Sequence, residues 1–117
     1  MKSNQESVEG QSCRYRLRAV GDTMYAIGGK WKMPIIVAML DGTSRFNELL
    51  RAIDGLSSKV LASELKDLEL NGFLKRTVSE GPPVVVDYHL TEYSNTLKDV
   101  LKALFDWGVN HRQEVKK

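Results

Sequence analysis

Five helices and a single β-hairpin, a mainly α fold with a small β element (α+β), are what this 117-residue sequence predicts. Three observations carry that expectation. Apolar side chains recur at spacings of three and four in successive stretches, as one-sided helices require. Two β-branched runs flank Ser79-Glu80-Gly81-Pro82-Pro83, which reads as the turn of a hairpin. Glycine-bearing pairs (Gly28-Gly29, Asp41-Gly42, Asp54-Gly55 and Asn71-Gly72) punctuate the helical stretches.

Leu17, Val20, Met24 and Ile27 share one face of a first helix that starts near Arg14 and stops at Gly28-Gly29. A second helix, from about Trp31 to Leu40, turns Trp31, Ile35, Ile36 and Met39 inward. Its Pro34 sits in the first turn, where a missing amide hydrogen costs little. Phe46, Leu49, Leu50 and Ile53 form the stripe of a third helix, closed by Asp54-Gly55. Ser57 then offers an N-cap to a fourth helix running to about Leu70, with Leu61, Leu65 and Leu68 inward. Its opposite face presents Ser58, Lys59, Ala62, Ser63 and Lys66, short or cationic side chains that permit close approach to another surface. The runs Leu74 to Val78 and Val84 to Leu90 make the hairpin. Thr91 caps a final helix with Glu92 in its first turn, favourable to the helix dipole. Leu97, Val100, Leu101, Leu104 and Trp107 lie along one side of it, followed by His111, and Phe105 widens the apolar arc.

Residues 1–12 are polar and read as a disordered, solvated tail, leaving 13–117 as one domain. With 42% hydrophobic residues, a chain of this length supports one core and no second full domain. No apolar run approaches the roughly 20 residues that span a bilayer, and the polar start is not a secretory signal. The lone Cys13 can make neither an internal disulfide nor a zinc site, so a reducing cytoplasm is expected. Seventeen Lys plus Arg against fifteen Asp plus Glu give a net charge of only +2, so the placement of charge must decide the partner.

Two helices joined by a tight turn and followed by a hairpin describe a winged helix-turn-helix. Duplex recognition needs a helix that fits the major groove and cations that find phosphates. Ser57, Ser58, Lys59, Ser63 and Lys66 on the fourth helix answer the first need; Arg45, Arg51, Lys75 and Arg76, at element ends around it, answer the second. The acidic residues Glu48, Asp54, Glu64, Asp67 and Glu69 share the region, so arrangement matters more than number. The first and last helices together offer more apolar surface than one small core covers, which predicts a homodimer through Leu17, Val20, Met24, Val100, Leu101, Leu104 and Trp107.

Several blocks also resemble a known family. Ile27-Gly28-Gly29-Lys30-Trp31-Lys32, Leu40-Asp41-Gly42 and Arg45-Phe46-Asn47-Glu48-Leu49 are similar to the HxlR-type winged helix-turn-helix regulators. So are Gly55-Leu56-Ser57, Leu65-Lys66-Asp67-Leu68-Glu69, Pro82-Pro83, Leu90-Thr91-Glu92 and Leu104-Phe105-Asp106-Trp107-Gly108. The resemblance implies a bacterial homodimeric transcription regulator that binds double-stranded DNA at palindromic operators, with the terminal helices as the dimer interface. Three positions depart from that pattern. Where many members carry a cysteine ten residues before the Gly-Gly pair, this chain has Arg18 followed by Ala19, so a thiol switch of that type is not expected of Cys13. The wing from Thr77 to Tyr88 holds Glu80 and Asp87 but no Lys or Arg, and is expected at most to position the protein. Ser94 stands where glycine is common after the Leu-Thr pair.

Other chemistry is thin. His89, His111 and Cys13 are too far apart in sequence to suggest a nucleophile-base pair or a metal site, so neither enzyme activity nor a cofactor is expected. Tyr25, Trp31, Tyr93, Phe105 and Trp107 could border a small-molecule effector pocket, although aromatics at helical spacing more often pack. Two further readings compete: a winged-helix protein-interaction module without an operator, supported by the wing's lack of cations and the acidic residues nearby, and a thiol enzyme resting on Cys13 alone.

Overall fold

The computed structural model describes residues 12–116. Its elements are α1 (Ser12–Ile27), α2 (Lys32–Leu40), α3 (Phe46–Ala52), α4 (Ser58–Leu70), β1 (Leu74–Val78), β2 (Val86–Leu90), a 3-10 turn (Glu92–Leu97) and α5 (Lys98–Lys116). The expected tail lies outside the described residues except Ser12, which belongs to α1 rather than to the tail.

Two helices end on the same local device. The amide of Thr43 donates to Ala38 O and that of Phe73 to Leu68 O, each reaching back over a glycine. Gly42 (φ 107°) and Gly72 (φ 86°) sit in the left-handed region at these turns, where a side chain would be strained. The second of these turns drops the chain directly from α4 into β1.

Ile35, Ile36 and Met39 of α2, Leu49 of α3 and Leu61, Leu65 and Leu68 of α4 fill one buried cluster with Phe73, Leu74 and Leu97. The predicted inward stripes are the ones that meet there. β1 and β2 pair antiparallel, with Leu74 opposite Leu90, Arg76 opposite Tyr88 and Val78 opposite Val86. The Tyr88 amide donates to Ser44 O at 2.9 Å, so the α2–α3 connection lies along the other edge of β2.

Two boundaries differ from expectation. The second strand begins at Val86 instead of Val84, because Ser79 closes the loop first: its backbone and side chain both bond Val85. Thr91 caps the 3-10 turn instead of the last α-helix, accepting from Ser94 N and bonding Gly72 O. Ser94 fits without glycine's freedom; its hydroxyl donates to Thr91 O at 2.6 Å, and among the described residues only glycines take positive φ. His111 lies well inside α5, which continues to Lys116, and stacks on Trp107. Among the described residues, no helix is long and apolar enough to cross a membrane.

Candidate nucleic-acid interface

α4 is held from behind by its leucine stripe and packs on α2, α3 and β1. Its opposite flank is therefore left to solvent, and Ser58, Lys59, Ala62, Ser63 and Lys66 are all exposed there. Ser57 sets the start of this rod: its hydroxyl accepts from Val60 N at 3.2 Å, and its own backbone is extended.

Two of the acidic residues of the helix are engaged elsewhere. Lys32 of α2 donates to Glu64 at 2.7 Å and approaches Asp67 at 3.5 Å. Its pKa is raised, chiefly by the hydrogen bond to Glu64 and then by the charges of both carboxylates, against an opposing effect of burial. Two negative charges that could repel a phosphate backbone are thus tied to a cation on the side of α4 facing α2. What remains on the open flank is Lys59 and Lys66, with the exposed Glu69 one turn beyond Lys66.

The flanking cations divide into those the fold brings together and one it does not. Arg76 projects from β1 on the same face as Tyr88, and the two line a cleft of about 230 Å³ with Ala62, Lys66 and Glu69 of α4. Arg76 therefore stands beside Lys66 at the junction of helix and wing. Arg45 and Arg51, at the two ends of α3, line a second cleft of about 390 Å³ whose far wall is Val84, Val85 and Val86. Arg45 is not free: its Nε–H donates to Asp87 at 2.5 Å, leaving the terminal Nη groups of the guanidinium to reach outward. Lys75 is separated from this group. Strand alternation puts it on the hairpin face opposite Arg76, in register with His89.

Two partners escaped the sequence reading. Lys32 lies 32 residues from Glu64, and Asp87 lies 42 from Arg45, beyond any helical or strand period. Arg76 beside Tyr88 could have been read from the two-residue period of the hairpin. The aromatics are divided between clefts: Tyr25 lines one with Met24, Lys32 and Leu70, whereas Tyr93 stacks on Phe73 at 5.4 Å and lines another, between the terminal helices and the core, with Asp22 and Val100. Trp31 packs against the core. The aromatics were too far apart along the chain for helical spacing to assign them to one cavity.

The residues proposed for dimerisation are mostly bare. Leu17, Val20 and Met24 of α1 are 56–67% exposed, and Leu104 (47%) and Trp107 (66%) of α5 are exposed too. Val100 is exposed as well, while Leu101 is half-buried against the protomer's own core.

Comparison with known proteins agrees with this architecture. The HTH-type transcriptional regulator YtcD of Bacillus subtilis (strain 168) is 37% identical over 97 residues, 83% of this chain and 77% of that protein. The HTH-type transcriptional regulator BH0655 of Halalkalibacterium halodurans is 43% identical over 93 residues, 79% of this chain and 82% of its own length. Among solved structures, ytcD superposes with a TM-score of 0.77 at 37% identity, covering 80% of this chain and 96% of the other. The redox regulator HypR in its reduced form gives 0.78 at 35%, covering 84% and 97%. Residues 26–116 match the family described as HxlR-like helix-turn-helix, and the chain belongs to that family.

Proposed function

We propose that this DNA-binding transcriptional regulator works as a cytoplasmic homodimer on a palindromic operator, each protomer laying α4 in a major groove. The observation that supports it best is the sorting of charge on α4, with Ser58, Lys59, Ser63 and Lys66 outward and Glu64 and Asp67 bound by Lys32. In this reading Ser58, Lys59 and Ser63 approach base edges, while Lys66, Arg76, Arg51 and the free end of Arg45 hold phosphates. Lys75, on the far face of the hairpin, contributes least. The exposed stripes of α1 and α5 supply the two-fold interface, which sets the two recognition helices one turn of DNA, roughly 34 Å, or a multiple of it apart.

A protein-interaction module without an operator loses one of its supports, since Asp87 of the wing is engaged by Arg45. Selection from random duplexes with the purified protein separates the readings. Enrichment of an inverted repeat with that spacing is expected; no enriched sequence, with a protein partner co-purifying, favours the module.

A further inference from the structure

Between α2 and α3 runs a groove of about 430 Å³, lined by Pro34, Val37, Ala52 and Ile53, with Asp41 and Asp54 among its polar residues. It shares no residue with the cleft between α3 and the wing, with the open flank of α4, or with the exposed stripes of α1 and α5. Neither a duplex on α4 nor a partner on the terminal helices would need to cover it. Yet much of its lining is apolar, and Val37 is 46% exposed.

The charge of the groove is one-signed. Asp41 follows the last turn of α2 and Asp54 stands in the turn before α4, and no lining residue is cationic. Among the described residues, neither carboxylate is in an ion pair. The C-terminal end of α2 points its negative dipole end toward Asp41. All this sits on a chain whose net charge is +2, so the acidity is local. The chain's own leading segment has the wrong chemistry for the groove, because residues 1–11 carry Glu6 and Glu9 against Lys2 and little apolar surface.

We propose that this groove docks a short amphipathic helix of another protein, apolar along one stripe and carrying Lys or Arg where it meets Asp41 and Asp54. The apolar stripe seats on Val37 and Pro34, in the helix-in-groove manner, and the two carboxylates fix polarity and register.

The probe is a fluorescein-labelled helical peptide of Leu and Lys, roughly four turns long, titrated with the full chain and followed by anisotropy. Saturable binding is expected, weakened roughly tenfold by Asp41→Asn with Asp54→Asn, which remove two exposed ion pairs. Val37→Ser should weaken it similarly through the apolar seat, and a Leu and Glu peptide should not compete. Both sets of substitutions are at the surface, so the fold is retained in at least one of them. No saturable binding, or equal affinity in wild type and both variants, overturns the proposal. A fall in sedimentation mass on Val37→Ser would overturn it too, by giving the groove to a second copy of this chain.

Discussion

Lys32 neutralises the acidic side of α4 that faces α2. Its side chain is half-buried between α2 and α4, where the ammonium bonds Glu64 and approaches Asp67. Because its pKa is raised above the ordinary 10.5, the pair's stabilisation is complete below that value and is lost as pH rises through the shifted one. Lys32→Met should cost about 1–2 kcal/mol at neutral pH in urea unfolding, the scale of a hydrogen bond between charged groups. The gap to wild type should close at pH values well above 10.5; a gap that persists there would deny the pair its role. Ser57→Ala should cost about 1 kcal/mol by removing the cap on Val60 N, read from the same unfolding curves. The cap was legible because donor and acceptor are three residues apart. The Lys32–Glu64 bond was not, since only the packing of α2 on α4 brings those residues together.

At the scale of elements, α2, α3 and α4 were legible to within a residue or two, because their apolar stripes meet in one core. The hairpin was legible as two strands and a turn, but neither its register nor its length was. Val84 and Val85 have strand propensity, yet Ser79 captures Val85 and holds them in the loop. The 3-10 turn hid behind the cap at Thr91, which marks the start of a helical segment without specifying its pitch. The wing itself carries a prediction. Its acidic members are unequal: Asp87 aims Arg45, while Glu80 at the tip has no such task. Glu80→Gln should change affinity for the selected duplex by less than about twofold, as for a rim charge far from phosphate. Asp87→Ala should weaken it by more, by letting Arg45 swing free. The reverse order in a binding titration would place the tip, not the base of the wing, on the DNA.

The whole molecule is a core of α2, α3, α4 and the hairpin with two poorly buried terminal helices attached. No residue of α5 is buried, although Val100, Leu104 and Trp107 line one side of it. That surplus was legible from periodicity, except that Leu101 serves its own protomer's core. Sedimentation should give twice 13.2 kDa, and Trp107→Glu should return the mass of one chain and abolish tight binding to the inverted repeat. A mass of 13.2 kDa for the wild type at every concentration would remove the dimer. The most direct test of α4 as the element that enters the duplex is the salt dependence of binding, compared between wild type and Lys59→Ala. The logarithm of affinity against the logarithm of salt should run shallower by about one unit per protomer in the variant, with weaker binding throughout. An identical slope and affinity would mean that the exposed flank beginning at Ser57 does not touch DNA.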